Sequence, residues 1–446
     1  MNMTTKPLRH YAFISLSLLL LLTGCAQNAV EPGNNEPSPS PSPSPSPSSA
    51  THTEPPASST SPDNASFDTD DVDPEIAAAH TAFALDLFQD IDQERSDENL
   101  LLSPVSIATA LAMTANGADG DTREAMLDTL HMQTMEDEAR NRGHEVMLDL
   151  LRYSGEDTQV LIANSLWADE GYPFKPTFMD ANRQAFNAEI ATLDLQDPGA
   201  TDRINHWVSE HTDGKIEDMV EGPIDEDTIL FLLNAVYFKA NWTYKFNEEL
   251  TTPRPFTNAD GSMNEVDMMH KNDKYDYLQD DEVQVVRLPY QDRSHSMLVF
   301  LPEETLGLDA WLEQLTPERW NSYLGGFTEA MGDFRMPRFA IEDEIRLNDP
   351  LKRLGMEEAF DPDRANFSQM TELEHNRIYL HEAKHKSTIE VGEYGTVATA
   401  STSVEMREES GSSLTIDMEV NRPFFFAIHD ARTSSILFMG AVRDID

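Results

Sequence analysis

The chain has 446 residues, 39% of them hydrophobic and 8% aromatic, enough for one large or two ordinary domains with a real core. Against 32 basic residues stand 80 acidic ones, a formal charge of −48, so the molecule repels nucleic acid and anionic membrane surfaces and a DNA-binding role is excluded. Such a carboxylate-rich surface also stays soluble at high external salt, a reading we place ahead of an acidic docking face.

The first residues combine a short basic region (Lys6, Arg9), an apolar run from Ala12 to Leu22 and a small-residue processing site. This is the pattern of an export signal. The run is short for a membrane-spanning helix and ends in Leu22-Thr23-Gly24-Cys25, which resembles a bacterial lipoprotein signal cleaved before the cysteine. Cys25 is the one cysteine of the sequence, so neither a disulfide nor thiolate chemistry is expected, and its place makes it the candidate lipidation site. A Pro-Ser tract from Glu36 to Asn64 follows; it cannot pack and holds itself extended. The expected organisation is a signal peptide over 1–24, a lipidated cysteine with its spacer over 25–72, and a folded domain over 73–446. Such a chain is exported and lipid-anchored to the cell envelope, the domain facing outward into an extracellular or periplasmic space, with the membrane met through the anchor alone.

From about Asp73, Ile76, His80, Phe83, Leu87, Phe88 and Ile91 recur at intervals of three and four, predicting a helix. A second is predicted to start at Ser103-Pro104 and to end by Gly117, and Asp121, three residues before Glu124, reads as the cap of a third. The pattern then changes. Residues 228–238 (TILFLLNAVYF) form a continuous apolar run suited to a central strand, 282–290 and 295–302 read as a hairpin, and the pair 421–430 and 434–444 repeats that arrangement. Helices early and strands later predict an α+β domain with large sheets and no internal repeat.

His381-Glu382-Ala383-Lys384-His385 matches the H-E-x-x-H pattern of zinc proteases, which works on a helix, where both histidines share one face. The flanking Arg377-Ile378-Tyr379-Leu380 and the β-branched run after His385 read as strand instead. At roughly 3.3 Å per residue the two histidines of a strand lie about 13 Å apart, too far to share a metal. No metal, cofactor or catalytic residue is expected, and the metalloprotease is kept as the enzyme-class alternative.

Residues 393–410 (EYGTVATASTSVEMREES) lie between two apolar runs and carry almost nothing large. Alternation puts Thr396, Ala398, Ala400, Thr402 and Val404 on one face, all small or β-branched. Such a segment can slide between existing strands, with Gly395 as a hinge. On these residues alone a flexible Ser/Thr loop is the simpler reading.

Context changes that balance, because residues 75–446 resemble the serpin family. The matches are ordered: NLLLSPVSIATALAM at 99–113, LNAVYFKANW at 233–242, LPY at 288–290, MPRF at 336–339, LGM at 354–356, VNRPFFFAI at 420–428 and the closing LFMGAVRD. The resemblance implies a serpin fold, helices packed around large β-sheets, with an exposed loop that can insert as a strand. It implies a monomeric inhibitor of serine-type endopeptidases, with cysteine endopeptidases as a further class, that acts by suicide cleavage and is not itself an enzyme. It implies that Ser103, Ser106, Asn234, Trp242, Arg338 and His385 control opening of the main sheet. Glu393, Gly395, Thr396, Ala398 and Ala400 match the inhibitory hinge, while Val397 stands where the family usually carries an acidic residue. By the same alignment Glu393 approaches Arg338 near Trp242. Counting along from Glu393 ranks Glu409-Ser410 first as the reactive bond, Glu408-Glu409 second and Arg407-Glu408 third. The first two favour a glutamyl-specific or subtilisin-like target, the third a trypsin-like one. A serpin-fold binding protein that traps no protease is the main alternative, disfavoured by the small-residue hinge.

Overall fold

The computed structural model describes residues 65–154, 158–225, 228, 230–371, 378–396 and 414–445. The predicted first helix is α1 (Pro74–Glu94), started by Pro74 and by the Asp73 carboxylate, which accepts the Glu75 N–H at 2.9 Å. It is followed by α2 (Pro104–Ala115), α3 (Gly120–Thr129), α4 (Asp137–Arg152), α5 (Pro176–Phe186) and α6 (Ala200–His211). The cap of α3 differs from the sequence reading. It is Asp119, whose carboxylate takes the Gly120 N–H at 2.9 Å, and Asp121 lies inside the first turn, where an acidic side chain still complements the helix dipole.

The strands are β1 (Leu100–Leu102), β2 (Thr158–Asp169), β3 (Glu189–Leu193), β4 (Leu230–Asn241), β5 (Thr252–Thr257), β6 (Met263–Gln279), β7 (Val283–Pro289), β8 (His295–Pro302), β9 (Thr328–Pro337), β10 (Phe339–Arg346), β11 (Ala383–Gly392), β12 (Gly395–Thr396), β13 (Leu414–Glu419), β14 (Phe424–Asp430) and β15 (Ser435–Val442). Among the described residues they form two sheets. One has nine strands in the order β1-β15-β14-β8-β7-β6-β9-β13, with β5 paired to β6; both predicted hairpins lie in it, as β7–β8 and β14–β15. The other has six, in the order β10-β11-β12-β4-β2-β3, and β11 also pairs directly with β4. Ile378–Leu380, read from sequence as strand, precede β11 outside any sheet, so that strand starts only at Ala383.

The unbroken apolar run of β4 is explained by cover on both faces. Leu232, Val236, Phe238 and Ala240 belong to the large core, which α2 enters with every residue from Pro104 to Ala115 buried. Phe231, Leu233 and Ala235 belong to a smaller cluster built on Ile204 and Val208 of α6. The six-stranded sheet is therefore the layer between two cores, and a change in it is felt on both sides.

Candidate functional site

The six-stranded sheet is incomplete at its centre. Strands β4 and β11 run parallel and pair directly over Leu232–Val236 and Ala383–Ser387. Above that stretch they part to admit β12, which is antiparallel to both: Thr396 faces Ala240 on one side and Val391 on the other, and Gly395 faces Asn241 and Gly392. A glycine is required there. Its φ is +150°, and a Cβ would sit 2.0 Å from the Ala240 carbonyl oxygen.

A polar cluster holds the chain at the upper end of this gap. Glu393 is 3% exposed, and its carboxylate takes the Arg338 guanidinium at 2.6 to 2.8 Å and the Thr251 hydroxyl at 2.5 Å. Burial pushes the carboxyl up, but the bonds from Arg338 and Thr251 outweigh it and hold the group below the usual carboxylate range. Arg338 links β9 to β10, so the ion pair joins the end of β11 to the strand beside it. Trp242 closes the other side: its indole N–H donates to the Gly392 carbonyl at 2.9 Å, its backbone N–H to Tyr394 at 2.8 Å, and its ring stacks on Tyr290 at 4.5 Å. The Tyr290 hydroxyl in turn meets the Thr396 hydroxyl at 2.7 Å.

Where β4 and β11 still touch, a second chain of bonds spans three elements. His385 is fully buried; its Nε2 accepts the Ser103 backbone N–H at 3.0 Å, which leaves Nδ1–H to donate to Asn234 Oδ1 at 3.3 Å. Asn234 Nδ2 then donates to Asn164 Oδ1 of β2 at 2.7 Å. The Ser387 hydroxyl donates to the Leu101 carbonyl at 3.1 Å, tying β11 to β1. The Ser103 and Ser106 hydroxyls are buried beside this chain with no hydrogen-bond partner among the described residues, so the bond from Ser103 is made by its backbone.

Burial holds His385 down to about 3, so it is neutral in the folded protein and its Nε2 keeps the lone pair that the Ser103 N–H needs. An unfolded histidine binds a proton near pH 6.5, so this depressed group stabilises the fold above that pH and loses the contribution as pH falls towards 3. At pH 5 the loss is about 2 kcal/mol for this one group. His144, held down to about 4 by burial, adds in the same direction. The expected result is a lower unfolding temperature at pH 5 than at pH 7, and a stability slope that flattens by about one proton in His385→Asn. An unchanged slope in that variant would remove His385 from the account.

The structure thus brings Glu393, Gly395, Thr396, Trp242 and Arg338 together at the upper end and Ser103, Asn234 and His385 lower down. Ala398, Ala400, the candidate bonds at Arg407, Glu408, Glu409 and Ser410, and Cys25 lie outside the described residues. Three participants escaped the sequence reading: Thr251, Asn164 and Tyr290. Only Tyr290 carried a signal, as the last residue of the LPY match. The H-E-x-x-H segment is no helix: His381 and Glu382 precede β11, His385 lies within it, and Glu382 meets Arg346 and Lys384.

Comparison with known proteins gives the same outline. The family model described as Serpin (serine protease inhibitor) matches residues 78–445. Antithrombin-III of Mus musculus is 31% identical over 379 residues, 83% of this chain and 82% of its own length. Leukocyte elastase inhibitor of Xenopus laevis is 34% identical over 382 residues, 82% of this chain and 98% of its own. Among solved structures, the thermophilic serpin tengpin in its native state superposes with a TM-score of 0.77 at 30% identity, covering 84% of this chain and 95% of that one.

Proposed function

Since the chain belongs to the serpin family of serine protease inhibitors, we propose that it traps its target by suicide cleavage, with the segment after Thr396 as bait and the gap between β4 and β11 as the receiving site. The protease serine attacks the carbonyl carbon of the residue before the scissile bond. The new N-terminus leaves with the C-terminal fragment, and an ester joins the protease to the chain. Insertion of the freed segment, serpin loop insertion being a known case of strand addition, then carries the protease across the sheet before water hydrolyses that ester.

One observation carries this reading: the register. Leu232 and Ala383 pair across the closed part of the gap, an offset of 151 positions. Ala240 and Val391, which flank Thr396 in the open part, have the same offset. A strand continuing from Thr396 therefore meets both neighbours in step, and β4 and β11 need only move apart, without sliding. Continued downward, this register sets Ala398 between Phe238 and Ile389, Ala400 between Val236 and Ser387, Thr402 between Asn234 and His385, and Val404 between Leu232 and Ala383. Arrival of Thr402 separates the Asn234–His385 pair. The strand β4 begins at Leu230, opposite residue 406, so a bond at 407 or beyond leaves the ester just past the sheet. That end opens on a cavity of about 270 Å³ whose lining includes Met219, Ile224, Phe231, His381, Glu382 and Lys384.

The gain is on the order of ten ladder hydrogen bonds at roughly 0.5 to 1.5 kcal/mol each, comparable with the whole stability of a domain. The uncut form is then kinetically trapped. Protein cleaved in the loop is expected to unfold on the order of 10 °C or more above the intact protein; equal unfolding temperatures would argue for the binding-protein alternative. We place the reactive bond at Glu409-Ser410, with Glu408-Glu409 and Arg407-Glu408 behind it. We also propose that the domain is exported and faces outward from the cell envelope, into an extracellular or periplasmic space, on a lipid at Cys25 and a spacer to residue 72.

A further inference from the structure

The ends of α2, α4 and α5 enclose a polar network with no part in the sheet gap. Its centre is Arg140, a guanidinium with no exposed surface. Arg140 Nη2 donates to Asp137 Oδ1 at 2.9 Å and to Asn116 Oδ1 at 3.2 Å. The same Asp137 oxygen is also bound by the Arg123 guanidinium, so two cations share one carboxylate, itself 57% exposed. Asn116 Nδ2 donates to Asn141 Oδ1 at 2.9 Å and to Asn182 Oδ1 at 3.0 Å, and Asn182 is fully buried. These bonds use the oxygens of Asn116, Asn141 and Asn182. Three buried atoms are left without an acceptor among the described residues: Arg140 Nε, Arg140 Nη1 and Asn182 Nδ2.

All three are donors, and the charge around them is positive. The nearby histidines do not change that balance: burial lowers both His80 and His144, so they are neutral, and the His144 Nδ1–H is committed to the Arg140 carbonyl at 2.8 Å. A lone water satisfies such a group poorly. It can accept two of the N–H bonds, but its own two hydrogens then compete for the second lone pairs of amide oxygens that each already accept one bond. An anion accepts from every side and also neutralises the second guanidinium. The geometry points to a buried binding site for a small monovalent inorganic anion of chloride size, held by Arg140 and Asn182 between α2, α4 and α5.

The test compares thermal unfolding of the full chain in sodium chloride and in sodium methanesulfonate at equal sodium concentration and ionic strength. Equal sodium and ionic strength cancel the general screening that a charge of −48 invites. Chloride is expected to raise the unfolding temperature, saturably, by about 2 °C or more. Asn182→Asp keeps the oxygen that Asn116 uses and offers Arg140 a fixed carboxylate, so in that variant the difference between the two salts disappears. Identical wild-type curves in the two salts overturn the site, as does a difference that persists in Asn182→Asp. Crystals of the wild-type protein grown in bromide give a reading that no folding defect can confuse. An anomalous peak within about 3.5 Å of Arg140 Nη1 and Asn182 Nδ2 supports the site, and its absence there overturns it.

Discussion

Ala400→Arg is expected to abolish covalent trapping while leaving cleavage of the loop intact. In the proposed inserted state, the continued register would set residue 400 between Val236 and Ser387, and even-numbered positions would follow Val236, Phe238 and Ala240 into the large core. An arginine inserted there buries a charge with no partner, at a cost of several kcal/mol. That cost falls on the step that competes with hydrolysis of the ester, and each 1.4 kcal/mol on a barrier is about tenfold in rate. Complex yield should drop by at least about tenfold while the cut chain accumulates at the normal rate. Val397→Arg is the matched control. In the same proposed state, residue 397 would fall between Lys239 and Glu390, the latter exposed, so a charge there should stay in water and the complex survive. Equal yields from the two variants would show that insertion does not follow this register.

Arg338→Ala is expected to shorten the life of the active form. Glu393 keeps its buried position but retains only the Thr251 hydroxyl among its side-chain partners, so a carboxylate that is 3% exposed loses its counter-charge. Loss of a fully buried pair would cost about 3–5 kcal/mol. Arg338 is 41% exposed and solvent screens it, so about 1–3 kcal/mol is the better expectation. The uncut protein should unfold at a lower temperature and lose inhibitory activity on storage about tenfold faster or more. Glu393→Gln tests the same contact from the other side: a neutral amide can still accept from Arg338, so its effect should be smaller. If Arg338→Ala changes neither unfolding temperature nor storage life, the ion pair does not hold the loop out.

Much of this was legible from residue patterns because the patterns are local. The spacing from Ile76 to Ile91 gave α1, and the unbroken run in β4 signalled a strand covered on both faces. Small residues alternating after Gly395 suggest an insertable segment, but beyond Thr396 they lie outside the described residues, and local pattern alone fits a plain loop as well. What the sequence hid depends on register between distant segments. Ser103 and His385 are 282 positions apart, and only the pairing of β11 with β4 and of β4 with β2 lines up His385, Asn234 and Asn164. Thr251 lies in a turn with no motif and reaches Glu393 across 142 positions. The α3 cap was misplaced by two residues because Asp119 and Asp121 are both acidic, and local pattern does not decide between them. Arg140 gave no signal at all, since an arginine on a helix with acidic neighbours reads as a solvated face.

The most direct test of the central claim mixes the protein with glutamyl endopeptidase, subtilisin and trypsin, followed by denaturing electrophoresis and mass spectrometry of the released peptide. The expected result is a complex that survives denaturation, with the mass of the protease plus the chain minus a C-terminal peptide. That peptide's first residue identifies the bond, Ser410 for cleavage after Glu409. Complete cleavage by all three proteases with no covalent complex, and no gain in heat stability of the cut protein, would contradict it.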